Sequence, residues 1–505
     1  MDSSRWRALR SILPFLGLYL VLAWAGAHSL LPWCDEGWFS DPAWNLMHRG
    51  VLGNSILDPT ASFREVNLAG IDRHAYWIMP LYVLAQVPWY KLAGFGLMQM
   101  RLLSALWGLP LLLAWWFILS RLAPDPAVAP LAVTFLAVDF NVINAASAGR
   151  MDMMVAALGA CGVALFLSRR ESSLPQALFL GFAATGCACL THPNAVFFAA
   201  DVLFLAVYFD RAQLLRWRSL AAMIAPVALA LAGWGLYISG DPRLFAAQFL
   251  GNAGGSQGRF LAFFHPLQAL RNELVNRYFA NFGMPPHSSG LATIKLVVLF
   301  AWFASAAAFF ALPVFRRKRG YRAIMGMFLI HVGLLLAING NQLPFYTIYV
   351  APLWIAVTAA VVLQCWRTFG DKRWLVAVAC AAVMLVNISV TVGRFHVNPY
   401  RNRFLPALAF LRPYTDSGSS VMASSEVALG LGFDRRVIDD YRLGYRSGKR
   451  ADFIVLDEAR YQPWIELLAH QDPANYNFIQ GLLKNYHVVY DRPGYRIYRR
   501  AAAAD

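Results

Sequence analysis

The sequence predicts a polytopic α-helical membrane protein, with about 11 transmembrane helices plus juxtamembrane helices, that ends in a small soluble α/β domain. Three observations predict it. Charged residues fill 14% of the 505 positions, against about 25% in a soluble domain. Apolar runs close to bilayer length recur through the first 395 positions. Twelve of the 28 acidic residues lie after position 395, so polarity concentrates in the tail.

Taken in order, the apolar runs cover 11–32, 98–120, 127–145, 150–168, 174–191, 193–209, 219–238, 291–314, 321–338, 344–365 and 374–392. Basic residues mark the cytoplasmic side of a membrane weave. They cluster before the first run (Arg5, Arg7, Arg10) and at Arg121, Arg169/Arg170, Arg211/Arg216/Arg218, Arg316 to Arg319, and Arg367/Lys372/Arg373, which is every second loop. One further stretch, Ala75 to Gly94, is apolar enough to tempt a twelfth crossing. Counting it would reverse the charge rule for most of the chain, and its prolines, tryptophans and tyrosines fit a helix lying at headgroup level. Eleven crossings place the N-terminus inside and the polar tail outside. Arg5 to Arg10 before an apolar run is also how a cleaved signal peptide begins, but here that run continues towards Trp33.

This weave predicts a membrane domain over 1–395, with a first outer loop at 33–97 and a large outer loop at 239–290, and an extracytoplasmic α/β domain over 396–505. In the tail, short β-branched runs (SSVMAS, DFIVLD, YHVVYD, YRIYRR) alternate with helical ones (PWIELLAH, NFIQGLLKNY). The large loop, with GNAGGSQGRF, reads either as a mobile cover over a site or as a passive connector. Five of the six cysteines sit inside apolar segments and read as buried thiols, with no disulfide framework and no CxxC metal knuckle. The net charge of +16 follows the positive-inside rule and gives no reason to invoke nucleic acid.

Chemistry is expected on the outer face. Asp35 and Glu36, in WCDEGWF, are adjacent carboxylates where the first run meets water. Partial desolvation makes a carboxylate a better general base; the other reading is two solvated loop acids. Arg150 and Asp152, in GRMDMM, lie on the same face as a cation–anion pair that either takes part in chemistry or anchors a helix. Arg64, Arg73, His74, Arg101, Arg150 and Arg259 are outer cations where such residues are normally sparse. Together they suit a lipid-linked phosphate. Asn341, Gln342 and Tyr346, in NGNQLPFYTIYVAP, suit sugar hydroxyls and ring stacking, or are a plain helix entry. Asp139 and Asp201 lie within apolar runs, where an ionisable group is a functional hypothesis or a helix-packing hydrogen bond.

In this order and on this side of the membrane, the patches resemble the C-type-fold (GT-C) membrane glycosyltransferases, specifically the protein O-mannosyltransferases and lipid A aminoarabinose transferases. The resemblance rests on Asp35/Glu36 after the first run, the Pro/aromatic stretch AYWIMPLYVLAQVPWYKLAGFG, Arg101 in RLLSALWG, Asp152 in GRMDMM and LPFY at 343–346, and covers residues 1–360. It implies an inverting glycosyltransferase of the inner (plasma) membrane, taking a sugar from a polyprenyl-phosphate donor to a lipid, cell-envelope glycan (lipopolysaccharide among them) or protein acceptor outside the cytoplasm. Asp35 is then the base or acceptor-orienting group, supported by Glu36, with Asp152 completing an acidic wall. Arg101, Arg150 and the Arg73/His74 pair become candidates for the donor phosphate. No cofactor is required by the resemblance, and a divalent metal stays open without assigned ligands. Some relatives carry Glu-Lys-Pro where this chain has Asp72-Arg73-His74, a His-containing step where it has Gln257 and Arg259, and Thr-Lys-Gly where it has Thr191-His192-Pro193. These departures put a family metal site in doubt and carry no lysine role across. The alternative class is a transporter or flippase of lipid-linked sugars, which would need Asp139 and Asp201 to line a polar route.

Overall fold

The computed structural model describes residues 3–58, 67–251, 261–284, 290–338 and 343–501. Its first half contains α1 (Ser3–Ala27), α2 (Cys34–Arg49), α3 (Pro80–Ala93), α4 (Leu97–Leu122), α5 (Val128–Val138), α6 (Phe140–Ser147), α7 (Asp152–Arg169), α8 (Leu174–Cys189), α9 (Val196–Leu214) and α10 (Trp217–Ile238). After the 239–290 segment come α11 (Leu296–Ala311), α12 (Arg319–Ile338), α13 (Ala351–Thr368) and α14 (Arg373–Val397). Every predicted apolar run contains helix. Among the described residues eight helices are long and apolar enough to cross a membrane, or nine if the bent pair α5–α6 is one span. The difference from eleven lies in two helices. With 16 residues α8 is short for a span, and α9 carries Asp201, Asp210 and Arg211.

The stretch read as a non-crossing helix is α3, 14 residues long, so about 21 Å at 1.5 Å per residue against a hydrocarbon core of about 30 Å. It packs on α2: the Gln86 amide donates to the Phe39 carbonyl (3.0 Å), and the Tyr90 hydroxyl donates to Gln86 (2.8 Å). Between α5 and α6 the chain bends by 56°. Asp139 makes the bend, its carboxylate capping α6 by accepting from the Asn141 and Val142 N–H groups, while Asn387 of α14 accepts from Phe140 N–H. A capped break satisfies backbone groups that hydrocarbon would leave unpaired.

Beyond α14, which Asn398 ends in a left-handed conformation, lie α15 (Leu405–Asp416), β1 (Val421–Met422), α16 (Ser425–Leu431), β2 (Val437–Ile438), β3 (Phe453–Asp457), α17 (Tyr461–Gln471), α18 (Pro473–Leu483), β4 (Tyr486–Arg492) and β5 (Tyr495–Arg500). The strands form one sheet in the order β2-β1-β3-β5-β4. The first three are mutually parallel, and β5 is antiparallel to both β3 and β4. Pro493 and Gly494 make the β4–β5 turn, Gly494 at a φ of 97°. All five residues of β3 are buried, as a central strand covered on both faces requires. One face packs on α17 and α18 through Ile454, Leu456, Ile465 and Ile479. The other shares an apolar core with the α2–α3 end of the membrane part, where Val421, Val427 and Ile497 join Phe39, Ile71, Tyr82 and Met100. This shared core fixes the tail to the segment that carries the acidic pair.

Candidate functional site

The two adjacent carboxylates have separate surroundings. Both lie in the first turn of α2, where acids are favoured by the orphan N–H groups. Glu36 turns inward, its side chain 1% exposed, and Asp35 keeps 16% accessible. Arg101 of α4 grips Glu36 in a bidentate pair (Nε to Oε1 2.7 Å, Nη2 to Oε2 2.8 Å) and donates from Nη1 to the carbonyls of Ala27 (2.7 Å) and Leu30 (2.9 Å). Glu36 also accepts from the Trp33 N–H (3.0 Å) and the Gly149 N–H (2.8 Å). A Cβ at Gly149 would lie 2.7 Å from Met100 Sδ, so a larger residue there would have to displace the Met100 side chain. One buried pair thus ties the end of α1, the start of α2, α4 and the 148–151 loop together.

Asp35 belongs to a second, more open group. Its carboxylate is ion-paired with Arg150, whose Nε also donates to Asp152 Oδ2 (2.9 Å). The Tyr349 hydroxyl donates to the other oxygen, Asp152 Oδ1 (2.9 Å). Burial alone would weaken the Arg150 charge, but Asp152 and nearby tyrosines outweigh it and hold the guanidinium above its ordinary pKa. The Phe345 ring lies 4.2 Å from that guanidinium. Ser104 of α4 donates to the Arg150 carbonyl (3.1 Å). Tyr346 sits on the same turn, its ring 5.9 Å from Tyr349 and 5.7 Å from His192. Among the described residues, Asp35, Glu36, Arg101, Arg150, Asp152 and the Phe345/Tyr346 turn therefore gather at one place, and the Arg73/His74 turn does not join them.

Several expectations change. Arg101, a candidate for the donor phosphate, is fully buried and committed to Glu36 and two carbonyls, so its geometry makes it a fastener of the site. Glu36, expected to support Asp35, has its oxygens occupied by three partners. Arg73 is exposed, and His74 stacks on Tyr76 (4.9 Å); among the described residues neither contacts the Asp35 group. Instead their turn docks on the 239–290 segment. Gln248 accepts from Tyr76 N–H (2.8 Å) and donates to the Ala69 and His74 carbonyls (2.6 and 2.8 Å). Arg259, Gln342, Arg64, Gln257 and Asn341 lie outside the described residues, as does most of the glycine-rich stretch expected to form a cover. Asp139 is the α6 cap, and Asp201 pairs with His331; the two acids share no contact among the described residues. No group of three or more His, Cys, Asp or Glu residues among the described residues has a metal-binding arrangement.

Sequence reasoning missed several contributors. Tyr349 stands three residues after Tyr346, a spacing that puts both on one face of a 3₁₀ turn (Pro344–Tyr349). Arg277, ion-paired with Glu273, donates to the Leu343 carbonyl (2.8 Å) and clamps the start of that turn from the large loop. A Glu273-x-x-x-Arg277 pair at helical spacing was a visible signal. The others come from the tail. Ser425 donates to the Cys34 carbonyl (2.6 Å), and Trp38 donates to Asp439 (2.9 Å), which Arg460 and Tyr461 also bind. Nothing local in the sequence relates positions 34 and 425.

At that seam lies a cavity of about 600 Å³ walled by Trp33, Trp38, Trp77, Tyr441, Trp464 and Arg460, among others. Next to it Glu426 is pushed up to about 8, by burial and then by Asp457, against the pull of Ser424 and Arg460. On α2 burial raises Asp41 to about 7, against hydrogen bonds from Ser55 and Ile56. Burial also raises the Cys34 thiol, leaving it protonated at neutral pH.

The helical array, the juxtamembrane segment and the docked α/β tail define a polytopic membrane protein of the C-type glycosyltransferase fold. The chain is similar over 99% of both chains to the ArnT from Cupriavidus metallidurans bound to undecaprenyl phosphate, a lipid A aminoarabinose transferase, at a TM-score of 0.59 and 14% identity. The apo form of that protein matches over 98% of this chain and 99% of its own, at 0.54 and 16% identity. The Archaeoglobus fulgidus oligosaccharyltransferase, solved with Zn and sulfate, matches 96% of this chain and 73% of its own length, at 0.54 and 12% identity. No family model matches the sequence, and no curated protein matches it by sequence.

Proposed function

We propose that this protein is an inverting glycosyltransferase that moves a sugar from a polyprenyl-phosphate donor to an acceptor at the extracytoplasmic face of the inner membrane. The observation that carries the reading is the Asp35–Arg150–Asp152–Tyr349 chain, an accessible carboxylate beside a buried cation. Structures of this fold hold undecaprenyl phosphate in one case and dolichol phosphate in another, which supports a lipid-phosphate donor. Asp35 takes the proton from the acceptor hydroxyl, whose oxygen attacks the anomeric carbon. The bond to the phosphate oxygen breaks, and the polyprenyl phosphate leaves as an anion stabilised by Arg150. Before donor binds, Arg150 holds Asp35 in an ion pair. A donor phosphate competing for that guanidinium frees the carboxylate to act as a base, so the base is unmasked only when donor is in place. Tyr346 faces the sugar. The aromatic cavity beside Trp33 receives the acceptor, whose apolar or pyranose faces stack on tryptophan; this fits a lipid or glycan acceptor.

The test is transfer of radiolabelled sugar from a panel of polyprenyl-phosphate sugars to a membrane extract, with wild type and Asp35→Asn side by side. The expected result is a fall in kcat of about 10²- to 10⁴-fold in a folded variant, the usual weight of a general base. Wild-type vesicles that move labelled lipid across the membrane but consume no donor would replace this reading with a transporter.

A further inference from the structure

We infer that His331 and Asp201, two buried residues outside the Asp35–Arg150–Asp152 group, are positioning residues that aim Tyr349 at Asp152. The inference rests on the glycosyltransferase reading. His331 of α12 and Asp201 of α9 are both fully buried. His331 Nδ1 lies 2.7 Å from the backbone carbonyl of Tyr349, and Nε2 lies 2.7 Å from Asp201 Oδ2. A carbonyl oxygen can only accept, so Nδ1 carries a proton. The second proton is shared between Nε2 and the carboxylate, and the pair is neutral overall in either arrangement. That neutrality is what lets it sit among apolar helices.

The carbonyl it serves needs a partner. Tyr349 ends the 3₁₀ turn, and the first backbone bonds of α13 go to the Val350 carbonyl instead. A buried carbonyl at such a junction costs stability unless a side chain donates to it, and His331 is that side chain. The imidazole is held in place by Phe197 and Phe198, with ring centroids 5.6 and 5.2 Å away. From the same residue the Tyr349 hydroxyl reaches Asp152 Oδ1 (2.9 Å), while Arg150 holds Oδ2 (2.9 Å). The orientation of Asp152, and through Arg150 that of Asp35, is therefore set by a bond between α9 and α12. A small displacement of reacting groups lowers rate far more than it lowers binding.

The experiment is a double-mutant cycle in sugar-transfer kinetics with His331→Leu, Tyr349→Phe and the pair together, donor KM and kcat measured separately. In the wild-type background His331→Leu is expected to lower kcat about tenfold or more with donor KM within about twofold; in the Tyr349→Phe background it costs less than about twofold, because both act through one contact. Asp201→Asn supplies the second arm. Its amide donates to Nε2, Nδ1–H stays on the Tyr349 carbonyl, and kcat stays within about threefold of wild type if hydrogen-bonded geometry rather than charge is what matters. His331→Gln, which keeps a donor for the carbonyl, is measured beside His331→Leu and is expected to be the more active. Equal losses from His331→Leu in both backgrounds, a rise in donor KM at constant kcat, or an inactive but folded Asp201→Asn would each overturn the inference while the glycosyltransferase reading stood. A wild type that transfers no sugar overturns both.

Discussion

Replacing Arg101 with methionine distinguishes a fastener from a phosphate reader. The side chain makes four hydrogen bonds, two to Glu36 and one each to the carbonyls of Ala27 and Leu30, in a setting with no solvent exposure. Methionine fills similar space but strands the Glu36 carboxylate beside only the Trp33 and Gly149 N–H groups. Breaking a buried pair from one side costs about 3–5 kcal/mol, so Arg101→Met is expected to lower the melting temperature clearly. Adding Glu36→Gln removes the stranded charge, while its single amide oxygen can accept from only one of the Trp33 and Gly149 N–H groups. The double variant should regain about 1–3 kcal/mol of that loss. Melting of each purified variant in one detergent gives the stability ranking, and transfer kinetics give donor KM. Arg101→Met should lower kcat through the neighbouring Asp35 while donor KM stays within about threefold. A variant that melts with wild type but has a donor KM raised tenfold or more would refute the reasoning, because that is the signature of a lost phosphate contact.

Three other outcomes follow from the seam with the tail. A Cβ at Gly37 would fall on the Ser425 backbone carbonyl, so Gly37→Ala should force α2 and α16 apart at about 1–3 kcal/mol and speed proteolytic release of the tail near Asn398. Glu426 has a folded pKa raised to about 8 from an ordinary 4.5; the folded state then binds the extra proton, and stability is fully present below the lower value and falls as pH rises towards the higher. Glu426→Gln should flatten the melting temperature between pH 5 and 9 (roughly the window between those values), and an unchanged slope would remove Glu426 as its source. Trp464→Ala, on the cavity wall, should raise acceptor KM about five- to tenfold and leave donor KM alone; an effect on donor alone would move the acceptor elsewhere.

The fold class was legible because the bilayer imposes it. Runs of apolar length, loop arginines and the composition break near Asn398 are direct consequences of solvent, and each run became helix. Two of them, α8 and α9, are exceptions of the same physics. One is too short for lipid and the other carries Asp201, a residue whose partner, His331, is 130 positions away. The site was legible in membership more than in role. Asp35, Arg150, Asp152 and the LPFY turn meet, yet the sequence cannot say which of two neighbouring acids points inward, because that depends on where Arg101 of another helix arrives. The tail's part was invisible for the same reason: Ser425, Asp439 and Arg460 gain their meaning from contacts with α2, hundreds of residues earlier.

The adjacency of Asp35 and Glu36 is itself informative. Successive residues of a helix point about 100° apart, so one first turn can serve two environments at once. Glu36 uses its direction to bind Arg101, Trp33 and Gly149, which fixes the helix start and brings the 148–151 loop against it. The same loop presents Arg150 to Asp35. The rigid pair therefore determines the geometry of the exchangeable one: Glu36 holds Gly149, Gly149 places Arg150, and Arg150 meets the carboxylate next door. A single acid in this turn could either anchor the loop or accept a proton, since the anchoring bonds occupy both of its oxygens. On the proposed mechanism two neighbouring acids separate these demands, and neither Asp35→Asn nor Glu36→Gln is expected to be rescued by the residue beside it.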